Sequence, residues 1–446
     1  MEQSVRRHHD RLFGGAVVDR QGGGLQVTAY SPATSGRESV PPPRARLWRR
    51  IGAIIERGFT RITSGVIAPY QSAVIRIGFS LTWLALLLRE WVHRNQLYGA
   101  DSPWSWTMAR EWNATNHGFT ILLWHDGRLW FEIVYLAAIA ASVMLLLGWR
   151  TRTASLLFMI GVLALQNRNP FVGNGGDNVI HIMAIYMVFT RCGQVWSLDA
   201  RRSADGRDDG RDGGRDGGRD GGRDVVGIVM WAFFTAVLTL VTGLGKLSTG
   251  WALLLWGFVL AQMAWWLVRS YAPGEPRTVM GMVGNVVHAG AMLVIAIQVC
   301  LIYSSSGWYK IQGSLWQDGT AIYYALHLGN VTPWPALSHA VAGSSLIVLL
   351  LSYGTVIVEV AFPFTLFNSR VRTVMVAIMM SMHLGIGILL GLPFFTMAMI
   401  AADSLFLPTA VLRWLSDRMA RAVQWTRAAV PTPLVAQEQT EPVRRT

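Results

Sequence analysis

Of the 39 basic residues in this chain, only Lys246 and Lys310 are lysines. Arginine keeps its proton in proteins, whereas a lysine in apolar surroundings can lose it and act as a base. Lys310 stands in an aromatic run, Ser304-Ser305-Ser306-Gly307-Trp308-Tyr309-Lys310-Ile311-Gln312-Gly313-Ser314-Leu315-Trp316-Gln317-Asp318-Gly319, which continues to Tyr323-Tyr324-Ala325-Leu326-His327. Trp308, Tyr309, Trp316 and Tyr324 are placed to desolvate the amine and to line a binding site there. A second segment, Asn167-Arg168-Asn169-Pro170-Phe171-Val172-Gly173-Asn174-Gly175-Gly176-Asp177-Asn178, gathers amides, glycines and one acid. Glycine lets backbone approach a ligand closely, and a helix start favours an anionic group. Asn169, Asn174, Asp177 and Asn178 are therefore binding candidates, with Asp177-Asn178 as N-caps of the next helix. Arg76, Glu132, His181, His288, Glu359, His383 and Asp403 fall within or beside long apolar runs. Ionisable groups are costly in lipid, which marks them as functional unless they pair structurally, as Arg76 could with Glu132 or Glu359. His181 and His288 read as histidines satisfied by a neighbouring helix. Cys192 and Cys300 supply neither a disulfide framework nor a thiolate metal site, and no metal is expected.

The elements that must position these residues follow from composition. The chain has 446 residues, 52% hydrophobic and 15% charged, with a net charge of +13 and mean hydropathy +0.34. Soluble domains carry about 25% charged residues, so this chain lacks the polar surface for a water-facing globule. That argues against a soluble enzyme, a nucleic-acid-binding domain and a disordered scaffold. The reading is an all-α integral membrane protein, a polytopic bundle of about ten transmembrane helices in the plasma membrane. Candidate spans lie at 73–91, 129–148, 154–171, 177–191, 225–244, 251–269, 279–304, 343–367, 373–391 and 393–411. Asn167-Arg168-Asn169-Pro170 and Pro393 interrupt the third, fourth and last of them. With ten spans threaded in order, Arg44–Arg50, Arg150 with Arg152, Arg191 with Arg201-Arg202, Arg269–Arg277, Arg370 with Arg372, and Arg413–Arg427 all fall on one side. The positive-inside rule makes that side and both termini cytoplasmic, so the basic balance reports topology rather than a nucleic-acid partner.

Outside the spans, residues 1–45 read as a disordered basic tail and 46–66 as an amphipathic helix suited to an anionic lipid face. The first membrane half covers 67–200, the second 225–410, and a cytoplasmic tail 411–446. Between the halves, 201–224 holds a repeat in which Arg207, Arg211, Arg215, Arg219 and Arg223 are each followed by Asp. Arg-Asp pairs separated by glycine cannot build a core, so this is a flexible linker.

The loop Asn167-Arg168-Asn169-Pro170…Asn174-Gly175-Gly176-Asp177-Asn178, followed by Trp196-Ser197-Leu198-Asp199, resembles the bacterial HTTM family, membrane proteins related to vitamin K-dependent gamma-carboxylase. The runs Lys310…Trp316-Gln317-Asp318-Gly319…Tyr324-Ala325-Leu326-His327, Tyr353-Gly354-Thr355…Glu359…Phe362-Pro363-Phe364, His383-Leu384-Gly385-Ile386 and Pro393-Phe394-Phe395 resemble it too. The resemblance covers roughly 70–200 and 279–410. It implies a helical bundle whose pocket opens away from the cytoplasm. In the carboxylase a lysine opening a Lys…Trp-x-x-Gly segment deprotonates vitamin K hydroquinone, and oxygenation then yields a stronger base. Lys310 matches that lysine with one extra residue before Trp316. Lys246…Trp251 keeps the lysine-to-tryptophan spacing but lacks the Gly and Tyr that follow. His383 matches a carboxylase histidine in a later helix. Where the carboxylase has a second histidine, this chain has Gly176-Asp177, and it does not match the large luminal region that holds the carboxylase's protein substrate. The resemblance implies a quinol of the vitamin K or menaquinol type as cofactor.

Three expectations follow. The first is a carboxylase-like membrane enzyme acting on a quinol or lipid-phase substrate, with Lys310 and His383 catalytic and Asn169, Asn174, Asp177, Asn178, Trp308, Tyr309, Trp316, Tyr324 and Glu359 binding substrate. The second is a non-catalytic protein for maturation or export of, or immunity to, a small secreted peptide. The third is a transporter with a polar path through Glu132, Glu359, His383 and Asp403; the lack of visible inverted repeats weighs against it.

Overall fold

The computed structural model describes residues 43–208, 225–272, 274–329 and 331–428, and among them every regular element is a helix. The tail at 1–42, most of the Gly-Arg-Asp repeat (209–224) and the end of the C-terminal tail (429–446) lie outside the described residues. The packing separates two units, Met1–Ile55 and Glu56–Thr446. In the first, the described part opens helix α1 (Pro43–Ser64). Along that helix Ile54, Ile55 and Phe59 are exposed between arginines. All candidate site residues belong to the second unit.

That unit begins with α2 (Pro69–Glu90), the one-turn α3 (Arg94–Leu97) and α4 (Trp106–Asn116). Then come α5 (Arg128–Leu147), α6 (Thr151–Arg168), α7 (Gly175–Met187) and α8 (Leu198–Asp208). After the repeat follow α9 (Val225–Gly243), α10 (Thr249–Tyr271) and α11 (Glu275–Gln312). Short helices α12 (Ser314–Gln317), α13 (Ala321–Leu326) and α14 (Pro335–Ala342) lead to α15 (Ser345–Thr365) and α16 (Ser369–Leu389). Finally come α17 (Pro393–Asp403) and α18 (Thr409–Ala428).

Among the described residues, seven helices are long and apolar enough to cross a membrane: α2, α5, α9, α10, α11, α15 and α16. Counting α17 with α18, bent by 115° at their break, as one span gives up to eight. These seven coincide with seven of the ten expected spans. The other three expected segments are also helical, but they are α6, α7 and the 11-residue α17. The physical reason is burial. α6 shows a nearly continuous run of buried residues from Ala154 to Leu165, so it packs on protein and needs no apolar outer face. α7 has only 13 residues and packs against α6 and α17.

The long α11 reveals the environment on its two sides. Asn285, His288, Met292, Ile295, Val299, Tyr303 and Gly307 recur at three- and four-residue steps and are buried. On the other face Leu293, Ile297 and Leu301 are exposed. An apolar outer face with polar groups inside is the arrangement a helix adopts in lipid, where polar groups must find partners within the protein.

Local rules explain the turns that hold these helices. Gly148 ends α5 at φ +68, and a Cβ there would come within 2.3 Å of Ser197 Cβ. Asp199 then accepts from Arg150 N at 2.9 Å, Thr151 N at 2.8 Å and Thr151 Oγ1 at 3.0 Å. It therefore caps the start of α6 from a distant loop, which is the role of Trp196-Ser197-Leu198-Asp199. Losing a cap costs about 1 kcal/mol, up to about 2. Asp199→Ala should accordingly lower the thermal midpoint in detergent, and Asp199→Asn should recover part of it; an unchanged midpoint in both would remove the capping role.

Candidate functional site: a buried cluster on α11, α15, α16 and α17

α11 packs on α15, and α16 packs on α17. Gly307 permits the first contact: a Cβ there would meet Val360 Cγ2 at 2.7 Å. One turn further on, Lys310 donates from Nζ to Ser306 Oγ at 2.9 Å and to Glu359 Oε1, forming an ion pair. The Trp316 ring lies 5.3 Å from the ammonium, within cation–π range. The Lys310 side chain is 20% exposed and that of Glu359 only 5%. Glu359 Oε2 is buried with no hydrogen-bond partner among the described residues.

Two turns before Lys310 on the same helix face, about 10 Å along the axis, Tyr303 makes a second cluster. Its hydroxyl donates to Asp403 Oδ1 at 2.5 Å and lies 3.0 Å from His383 Nε2. With the phenolic O–H directed at Asp403, the imidazole Nε2–H must be the donor to the tyrosine oxygen. His383 Nε2 is also 4.0 Å from Asp403 Oδ2. His383 Nδ1 and Asp403 Oδ2 are buried without hydrogen-bond partners among the described residues. Phe362 and Phe395 pack on this group, with ring centroids 4.9 Å from Tyr303 and 5.6 Å from His383 respectively. Thr396 Oγ1 donates to the His383 carbonyl at 2.8 Å and fixes α16 against α17. Tyr303, His383 and Asp403 thus form a hydrogen-bonded chain along which a proton can pass. Together with Glu359 it carries three buried, unsatisfied polar atoms.

No family model, no curated protein and no solved structure matches this chain.

Lys310, Glu359, Trp316 and His383 therefore sit in one region, while the other expected residues do not join them. Trp308 and Tyr309 are 61% and 74% exposed, because a 3.6-residue period turns them off the buried face that bears Gly307 and Lys310. Tyr324 packs edge-on against Tyr323 and is exposed. The Trp-Gln-Asp-Gly stretch instead leans on α15. Tyr353 donates to the Gln317 carbonyl at 2.6 Å. Gly319, at φ +69, leaves no room for a Cβ beside Leu349.

The amide-rich segment is a set of ties between loops. Asn169 donates to Leu97 O at 2.7 Å, and its side-chain oxygen accepts from Phe171 N at 3.2 Å. Arg168 reaches Trp104 O and Gly99 O, and Asn167 reaches Phe119 O. The N-cap of α7 is Asn174 rather than Asp177 or Asn178. Asn174 and Asp177 form a reciprocal capping box, with Asn174 N donating to Asp177 Oδ2 at 2.7 Å. Asn178 is exposed on the same helix. Gly176 makes room for α17: a Cβ there would lie 2.6 Å from Phe395 Cα. The close approach is to protein backbone rather than to a ligand.

The remaining ionisable groups also have partners, and the expected pairings of Arg76 are corrected. Glu132 accepts from Arg94 at 2.9 Å and from Asn95 at 3.1 Å. Arg76 lies among backbone carbonyls. His181 meets Gln166 at 2.7 Å. His288 accepts from Arg191 N at 3.0 Å through Nδ1 and faces Ile67 O at 2.8 Å through Nε2, the neutral tautomer of a structural histidine. Burial pushes the Cys192 thiol up, which makes it a poor nucleophile.

The sequence reading missed Tyr303 and Ser306. Their signal was present as spacing: residues 303, 306, 307 and 310 share one face of a helix.

Proposed function

We propose that this chain is a multi-pass plasma-membrane enzyme of the HTTM type that takes a proton from a lipid-phase quinol, with Lys310 and Glu359 as one proton-accepting unit. The observation that carries the reading is the Lys310–Glu359 pair, with Glu359 Oε2 buried and unpartnered. A quinol hydroxyl offered to that oxygen would hand its proton to the carboxylate. Lys310 would keep its charge and stabilise the quinolate. His383, Tyr303 and Asp403 would carry the proton onward along their hydrogen bonds. The three unsatisfied polar atoms suit a ligand bearing hydroxyl groups, and the aromatic packing of Phe362 and Phe395 suits its ring. In this reading the chain crosses the membrane ten times with both termini cytoplasmic, α6, α7 and α17 completing the seven longer spans.

The test is oxygen-dependent oxidation of a reduced naphthoquinol by the purified protein in lipid nanodiscs. Positioned acid–base groups contribute about 10²–10⁴-fold. Glu359→Gln should lower the protein-dependent rate by about that factor, since the accepting carboxylate is lost while its shape is kept; full activity in that variant would sink the reading, whereas Lys310→Arg, which keeps the charge, should retain most of the rate. Tyr303→Phe removes one hydroxyl and is expected to lower the rate by at least tenfold. Running the wild-type reaction itself in deuterated solvent should slow it if the relay carries the proton, and an unchanged rate in Tyr303→Phe would exclude the relay.

A further inference from the structure

We propose that α18 is a docking surface for anionic lipid, lying along the headgroups of the membrane that the bundle crosses. The segment expected as a tail from 411 is helical to Ala428. Its direction is set just before it starts. α17 packs along α2 and α16, two of the long apolar helices. Leu407 then leaves the helical region at φ −64 and ψ 141, as a residue preceding proline prefers. After Pro408 the chain has bent by 115°, so α18 runs across the end of the bundle instead of through it.

One edge of α18 is seated on protein. Leu412 is buried, Trp196 Nε1 donates to Ser416 Oγ at 2.9 Å, and Gln71 Nε2 donates to Thr409 Oγ1 at 3.0 Å. The next face round the helix is apolar and open. Val411, Leu415 and Met419 follow one another at four-residue steps and are 42%, 42% and 60% exposed. Arg413, Asp417 and Arg421 hold the side opposite that stripe. Trp414 borders the stripe, and the Arg418 guanidinium lies 5.0 Å from its ring centroid.

Charge and pattern choose the occupant. A helix gains most of its stability by packing an apolar face, so α18 beyond Leu412 needs a cover along the stripe. A single apolar row bordered by a tryptophan and arginines is the pattern of a helix lying in the interface plane, its aromatic ring at headgroup level. Between Thr409 and Arg421 three arginines face one acid, Asp417. Trp196 also ties α18 to the loop that leads into α8, where Arg201 and Arg202 are exposed. Positive charge gathered beside the stripe matches an anionic leaflet. None of these residues belongs to the Lys310 cluster, so the proposal stands or falls independently of the quinol reading.

The experiment is hydrogen–deuterium exchange of the full chain in nanodiscs of phosphatidylcholine alone and of phosphatidylcholine mixed with phosphatidylglycerol. Amides of 413–421 are expected to exchange at least tenfold more slowly in the anionic discs, while those of the buried α6 exchange equally in both. Arg418→Gln/Arg421→Gln should remove most of that difference, about fivefold for each arginine, and leave the rate in neutral discs unchanged. Leu415→Asp should speed exchange in both lipids. All three positions are exposed, so the fold should survive, which circular dichroism verifies. Equal exchange of 413–421 in the two lipids, or a difference that survives the double arginine variant, overturns the proposal. Protection that rises with protein concentration in detergent would assign the stripe to a second copy of the chain and overturn it as well.

Discussion

Lys310→Met is expected to destabilise the protein by about 3 kcal/mol, at the lower end of what breaking a buried ion pair costs. The reason is asymmetry of burial. Glu359, at 5% exposure, would keep a carboxylate that cannot reach water, whereas Lys310, at 20%, can lift its ammonium outward when its partner is lost. Glu359→Gln should therefore cost less, toward the lower end of the about 1–3 kcal/mol of an unmade hydrogen bond. The double variant Lys310→Met/Glu359→Leu should regain most of the stability, because apolar residues of similar volume pack where the charges were. Thermal unfolding in one detergent at one pH, arranged as a double-mutant cycle, reads the coupling. Quinol oxidation should separate role from stability: the double variant should be stable and inactive. Additive losses with no coupling would show that the two side chains do not act as a unit.

The helical character of the chain was legible because lipid imposes it. Runs such as 343–367 and 373–391 are long enough and apolar enough that no other element could satisfy their backbone. The segments that do not pass as spans are those that neighbours cover: α6 is buried along most of its length, and burial against protein leaves no sequence signature distinct from lipid exposure. The site was half legible. Lys310, Glu359 and His383 drew notice as ionisable groups in apolar sequence, yet nothing in the spacing of Glu359 indicated that its partner would be Lys310 rather than Arg76. That choice depends on which helices meet, and Gly307 decides it by letting α15 approach α11. Tyr303 was overlooked because a tyrosine in an apolar run reads as core. Only the arrival of His383 from α16 and Asp403 from α17 gives its hydroxyl a role. The Asn-Arg-Asn segment and Trp196-Ser197-Leu198-Asp199 attracted attention for the opposite reason. Amides, turns and caps concentrate where loops are tied together as readily as where ligands bind.

Arg76→Met should be the most damaging single substitution outside the cluster, at about 3–5 kcal/mol, because it leaves more than one buried carbonyl without its donor at about 1–3 kcal/mol each. Arg76 is fully buried, and its guanidinium donates to four backbone carbonyls: Cys192 O at 3.2 Å, Leu145 O at 2.5 Å, Leu146 O at 2.8 Å and Trp196 O at 2.7 Å. Leu145 and Leu146 lie in the last turn of α5; Leu145 O already accepts from Gly148 N at 3.1 Å, and the arginine gives it a second donor, satisfies Leu146 O and meets the negative end of the helix. Cys192 and Trp196 belong to the loop that delivers Asp199 to the start of α6. One side chain therefore joins α2, the end of α5 and the capping loop. Methionine matches much of the volume and supplies no donor, leaving several buried carbonyls unmade at about 1–3 kcal/mol each before relaxation. Arg76→Lys should recover less than half, because a single ammonium cannot span the directions that the planar fork reaches. The expected measurement is a large fall in the thermal midpoint and in the yield of monodisperse protein, with Asp199→Ala adding less than its own cost in the Arg76→Met background because the loop is already released. Full additivity of the two would mean that Arg76 and Asp199 hold the loop independently.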